Sequence, residues 1–234
     1  EDIPDWDGVP ELAEVYLAHV RAFRELRLVG RRPTLDAFTG VVRRVAKYQR
    51  NVPKSITFAM HRLRAERGPD YGSSFADGWL DNFLLNCIGT EMLMGQYLAG
   101  AQVQREAAET SRAGVIDTDC DLAQLCRDVA AAVRGRCAER TGYSPRIVTR
   151  VYAGGGEPPR ICHVPGFLRK ILAEVLENSC RATVETAKSR RDLKARPVTI
   201  VLCADARHVA VRISDRAQGI PFEVGPQVWS YLYT

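Results

Sequence analysis

The sequence predicts two domains: an all-α, up-and-down four-helix bundle over residues 1–105 and an α+β two-layer sandwich over residues 115–234. Three observations carry this expectation. Apolar residues recur at helical spacing in four successive segments before residue 105. A polar stretch, Gln104 to Gly114, then interrupts the pattern. Beyond it, short alternating segments are interspersed with two long amphipathic ones, as strands with helices on one side require.

The elements follow in order. Glu11 to Leu26 places Leu12, Val15, Tyr16, His19, Val20 and Phe23 at helical spacing. Thr34 is suited to cap a second helix that stops before Pro53, and Pro53 opens a third that ends at Gly68. The polar stretch PDYGSSFADG predicts a loop. GWLDNFLLNCIGTEMLMGQYLAGAQ predicts a long apolar helix at the centre of the bundle. In the second half, Asp121 to Gly142 predicts one amphipathic helix. PRIVTRVYAGGGEPPRICHVP predicts a hairpin whose strands flank the Gly-rich turn Ala153 to Pro159. A second helix runs from Phe167 to about Arg191. Val198 to Cys203 and His208 to Ser214 alternate as two strands around the turn Ala204 to Arg207.

Composition excludes several classes. The net charge of +5 arises from 33 basic and 28 acidic residues of interspersed sign, without base-stacking aromatics among the basic clusters, so no nucleic-acid partner is expected. The seven cysteines form no CxxC pair, which argues for a reducing compartment and against a zinc or disulfide framework. No run of eighteen apolar residues exists, so no helical membrane span is expected. EDIPDWDG has neither signal nor transit character. The four histidines show no metal spacing, and Trp6, Trp79 and Trp229 are expected as packing anchors.

Chemistry points to the helix containing EVLENSCRATVE. At about 100° per residue, Glu174, Asn178, Arg181 and Glu185 fall within roughly 60° of one another. Leu168, Ile171, Leu172, Val175, Leu176 and Ala182 form the adjacent apolar sector. An amide oxygen at Asn178 suits Mg²⁺, and Glu174 one turn earlier suits a proton acceptor. The alternative for both is a hydrogen-bonded helix flank. The second strand leads into SDRAQGIP, where Asp215 is either an ordinary turn cap or a carboxylate that accepts from an adenine amino group, with Gly219 in the turn behind it.

EVLENSCRATVE, SDRAQGIP and WSYLYT together resemble the nucleotide-site motifs of the mitochondrial kinases that phosphorylate pyruvate and branched-chain 2-oxoacid dehydrogenases, members of the GHKL ATPase superfamily. IGTEMLMGQYL resembles the family's bundle helix, and ICHVPGFLRKIL the lead into its site helix. The RATVE and SYLY wording is closer to the pyruvate than to the branched-chain enzymes. The resemblance implies Glu174 as general base and Asn178 as Mg²⁺ ligand. It places Arg181 and Ala182 beside the nucleotide, Asp215 as the adenine-reading carboxylate, and Ala217 and Gly219 in the turn below the base. Thr234 opens a hydroxyl pair near the nucleotide. The implied activity is transfer of the γ-phosphoryl of ATP to a serine of the E1α subunit in the mitochondrial matrix. The bundle would dock the lipoyl domain of E2, and the chain would form a homodimer.

Three departures from the family pattern stand out. Ala217 and Gln218 replace glycines, and an alanine at a left-handed position costs on the order of 1 kcal/mol. Lys170 stands one turn before Glu174, where the animal enzymes have histidine; a cation there favours ionised Glu174. Tyr97 takes a position at which histidine would have suggested phosphohistidine chemistry. The resemblance also places the glycine-rich ATP lid beyond Thr234, so the nucleotide domain is expected to be incomplete at its C-terminus. AGGGEPP lacks the phosphate-loop lysine and does not replace that lid. The rival expectation is a catalytically inactive adaptor that keeps the docking bundle.

Overall fold

Val9 in an extended conformation followed by Pro10 starts the first helix, α1 (Pro10–Arg27), because proline's missing N–H falls where a helix has no intrahelical acceptor. The computed structural model describes residues 8–30, 34–68, 73–106, 112–154, 158–205 and 207–231. These divide into two compact units, Glu1–Ala108 with Phe222–Thr234, and Glu109–Pro221.

In the first unit, Thr34 caps α2 (Leu35–Gln49) by accepting from the Ala37 N–H at 3.2 Å. Helix α3 (Val52–Arg67) begins beside Pro53 and stops at Gly68. Helix α4 (Ser73–Glu106) begins earlier than expected: Ser73 to Gly78, predicted as loop, are helical. Ala76 and Leu80 are each only 1% exposed within a cluster formed with Leu12, Ile56 and Leu63, so packing carries the helix through Gly78 despite its poor propensity.

The centre of α4 corrects a second expectation. Leu85 and Leu93 are 68% and 75% exposed, and Ile88 and Met92 are also exposed, so this helix is not the buried axis of the unit. Helix α1 packs against α2 and α3, while α4 meets α2 and α3, leaving one α4 flank uncovered among the described residues. The same cause leaves Tyr16 and Phe23 of α1 exposed, although both sit at apolar helical spacing. The 3-10 helix Phe222–Gln227 leads to Ser230 and Tyr231, which bind α4. Ser230 Oγ and the Tyr231 N–H each donate to Asp77 at 3.1 Å, and Tyr231 Oη donates to Asp81 at 2.7 Å. Trp229, expected to anchor packing, is instead 88% exposed.

In the second unit, two short strands inside and just after the polar boundary stretch were not anticipated: β1 (Arg112–Ala113) and β2 (Ile116–Asp121). Asp121 then caps α5 (Leu122–Thr141), and Gly142 ends it at φ 80°, a left-handed conformation open to glycine. The hairpin expected between β3 (Ile147–Ala153) and β4 (Arg160–His163) does not form. Strand β4 pairs with β2, and β3 pairs in parallel with β5 (Val198–Ala204). Period-two alternation identifies a strand but not its partner, and each strand found a neighbour distant in sequence. The middle of the proposed turn lies outside the described residues. Strand β5 also pairs with β6 (Val209–Ser214), antiparallel, which is the arrangement the sequence predicts for these two.

The sheet order is β1-β2-β4 in one sheet and β3-β5-β6 in the other. Val198, Ile200 and Leu202 of β5 face a core with Cys126, Val129 and Val133 of α5 and Leu172 and Leu176 of α6 (Pro165–Thr186). The site helix therefore ends at Thr186 rather than Arg191. Ser189 instead caps a separate short helix, α7 (Arg190–Ala195), by accepting from the Asp192 N–H at 3.2 Å.

Burial pushes the thiols of Cys126 and Cys180 up to about 11 and about 12 from an ordinary 9.0. A raised folded value makes these protons a source of stability below pH 9, which is lost as pH rises towards 11 and 12. At pH near 8 a thiol reagent is expected to modify the exposed Cys162 and Cys203 and to reach Cys126 and Cys180 only on unfolding. The denaturation midpoint should fall as pH climbs above 9. Early labelling of Cys180 in the folded protein would show that α6 is not seated as described.

Candidate active site on the second helix of the sheet unit

Val164 in an extended conformation and Pro165 at the first helical turn set the start of α6. Its core flank is Leu172, Leu176, Ser179, Cys180 and Thr183, all buried. Thr183 is fully buried, and its hydroxyl donates to the Ser179 carbonyl at 2.7 Å, so this hydroxyl is not stranded in the core. Ile171 and Val175, assigned to the apolar sector, are 60% and 43% exposed: only the part of that sector facing β5 is covered.

The opposite flank presents Glu174, Asn178, Arg181 and Glu185, which line one cleft of about 260 Å³ with Arg136, Cys137, Arg140 and Thr141 of α5. Arg136 fixes α5 against α6 through two bonds to Glu177 Oε1, at 2.8 Å from Nε and 2.5 Å from a terminal nitrogen. Within α6, Arg181 donates to Asn178 Oδ1 at 3.1 Å. Glu174 has no hydrogen bond or ion pair among the described residues, so its carboxylate is free to accept a proton or a donor. Lys170 Nζ lies 5.7 Å from the centroid of the Phe167 ring, a cation–π contact beside its own helix.

Among the described residues, Ala182, Asp215, Ala217 and Gly219 do not line this cleft. Ala182, one helical turn after Asn178, is half-buried. Asp215, at the end of β6, accepts from the Ala217 N–H at 3.1 Å, the turn-capping geometry. It lies close enough to α6 to raise the Cys180 thiol slightly, the smallest of that group's influences. The glycine that adopts a left-handed backbone in this turn is Gly219, at φ 78°, with no heavy atom within 4 Å of the Cβ position it lacks. Thr234 lies outside the described residues.

No protein-family profile matches the chain. Curated relatives do. It is 32% identical over 158 residues to the mitochondrial pyruvate dehydrogenase kinase isozyme 4 of Rhinolophus ferrumequinum, covering 67% of this chain and 38% of that protein. It is 27% identical over 204 residues to the mitochondrial pyruvate dehydrogenase kinase of Ascaris suum, covering 86% of this chain and 50% of that one. The kinase of Schizosaccharomyces pombe matches at 29% over 156 residues, covering 67% of this chain and 35% of its own length. The chain belongs to the pyruvate dehydrogenase kinase family.

It spans half or less of the length of these pyruvate dehydrogenase kinases. Six cleft residues were not anticipated, Arg136, Cys137, Arg140 and Thr141 of α5 and Glu177 and Val184 of α6, and three of them, Arg136, Arg140 and Glu177, are charged. Arg136 and Arg140 are one turn apart on an amphipathic helix, a signal visible in sequence but without a partner until α5 and α6 meet. For Mg²⁺ the donor set is informative. Among the described residues no group of three or more His, Cys, Asp or Glu is placed to hold an ion. The amide oxygen of Asn178 would supply one ligand to a hard cation such as Mg²⁺, which this flank alone would not enclose.

Proposed function

We propose that this chain is the helical part and nucleotide-site part of an ATP-dependent protein serine kinase, acting on the E1α subunit of a 2-oxoacid dehydrogenase complex in the mitochondrial matrix. The observation that supports the reading is the meeting of an unpartnered Glu174 with Asn178 and Arg181 in one cleft, one helical turn apart. The relatives' names supply the substrate class and the mitochondrial location.

In this reading Glu174 accepts the proton of the seryl hydroxyl as its oxygen bonds to the γ-phosphorus and the bond to the ADP oxygen breaks. Asn178 and Arg181 position the phosphates, and Asp215 holds the adenine amino group by the carboxylate oxygen that the Ala217 N–H leaves open. Magnesium, when bound, neutralises phosphate charge that this chain does not neutralise alone. The second unit is then a GHKL-type nucleotide domain that pairs into a homodimer, and the helices of the first unit form the surface for the E2 lipoyl domain.

One observation favours the inactive adaptor. Arg181 already occupies the Asn178 oxygen that the metal requires. Calorimetry of Mg-ATP binding, followed by transfer to E1α, separates the two. The kinase reading expects saturable Mg-ATP binding that weakens by about tenfold or more in Asn178→Ala, since an oxygen ligand is lost. Binding of a lipoyl domain with no Mg-ATP binding and no transfer, in the full-length protein, would instead establish the adaptor.

A further inference from the structure

Residues 136–146 and 185–196 carry eight cations and three carboxylates, a local charge of +5 that equals the charge of the whole chain. The rest of the sequence therefore balances to zero. The fold brings these two segments to one end of the second unit. Arg136 reaches Glu177 across the two helices, the Arg190 guanidinium lies 5.4 Å from the centroid of the Tyr143 ring, and the Val198 N–H donates to the Arg146 carbonyl at 2.9 Å.

Part of this charge is neutralised locally. Arg136 pairs with Glu177, and Arg196 pairs with Asp192 at 2.9 Å. Arg140, Arg146, Lys188, Arg191 and Lys194 are exposed, and their side chains have no ion pair among the described residues. Helix dipoles account for little of the set: the last turn of α5 contains only Arg140, that of α7 only Lys194, and that of α6 no cation. These five cations outnumber the two exposed carboxylates of the same segments, Glu139 and Glu185, and the excess positive charge repels itself, a cost that a solvated face with balanced signs avoids.

We propose that this end of the second unit docks an acidic segment of a partner protein. Guanidinium groups favour carboxylates, which they bind in a planar two-bond geometry. A single-stranded nucleic acid would need open aromatic faces for stacking, and Tyr143, which the Arg190 guanidinium overlies, is the only aromatic residue in the two segments. Arg140 also lines the cleft that holds Glu174, so the docked segment runs towards the candidate site. The proposal requires no nucleotide and does not depend on the kinase reading.

The test is fluorescence anisotropy of a labelled polyglutamate peptide of about a dozen residues, without nucleotide, at low salt and at physiological ionic strength. Binding should weaken by about tenfold or more in the double variant Arg191→Glu/Lys194→Glu, and by less in Arg191→Gln/Lys194→Gln. It should change by less than about twofold in Arg21→Glu/Arg43→Glu on the helical unit, and all variants should melt like the parent. Equal losses in both charge-reversed pairs, no binding at low salt, or tighter binding of a single-stranded oligouridine under the same conditions would each overturn it.

Discussion

Glu174→Gln is expected to slow phosphoryl transfer to E1α by on the order of 10²–10⁴-fold, the range typical for loss of a positioned general base. The substitution keeps the size of the side chain and removes only its ability to take the proton. Because Glu174 is exposed and unpartnered, the folded state loses nothing, and the melting temperature should stay within the scatter of ordinary surface changes. Mg-ATP affinity should also hold, since Asn178, Arg181 and Asp215 are the groups assigned to the nucleotide. The measurement is the initial rate of E1α phosphorylation at saturating Mg-ATP. A variant with full rate removes Glu174 from the mechanism. A slowed variant with lowered melting temperature makes its role structural.

Leu176→Ala is expected to destabilise the second unit by about 2–5 kcal/mol, the usual cost of removing a buried leucine and leaving a cavity. Leu176 is fully buried and lies in sequence between Glu174 and Asn178, on the flank of α6 that packs over Val198, Ile200 and Leu202 of β5. Such a loss is a large share of the roughly 5–15 kcal/mol by which a domain is stable. Mg-ATP affinity should fall with it, because the side chains of the cleft are held in place by this seat. Val175→Ala, one residue away but 43% exposed, should cost less than about 1 kcal/mol and serves as the control. Urea denaturation monitored on both variants gives the comparison; similar losses would mean that α6 does not lie on β5 as described.

The helices were legible because their start and stop signals are local. Thr34, Pro53, Asp121 and Gly142 each act within a turn of their own position, and each sits where the sequence placed it. The alternation of Val198 to Cys203 likewise reports one buried face without reference to anything distant. The polar stripe of α6 was legible for the same reason, since helical geometry alone puts Glu174, Asn178, Arg181 and Glu185 on one flank.

What failed was whatever depends on a partner far along the chain. The strands β3 and β4 were expected as a hairpin, yet the sheet gives β3 to β5 and β4 to β2. The apolar run of α4 was expected to be buried, yet burial requires a neighbour on every flank, and α1 to α3 supply only some of them. Arg136, Arg140 and Glu177 entered the cleft only when α5 came to rest against α6.

By itself, the sequence determined where helices and strands begin, which flank of α6 is polar, and which family motifs it carries, because caps, periodicity and residue spacing act over a few residues. The tertiary structure alone decided strand partners, the exposed flank of α4, the Arg136–Glu177 pin and the gathering of unpaired cations at one end. These arise from burial and Coulombic contacts between residues tens of positions apart, and such contacts have no period that a linear string displays.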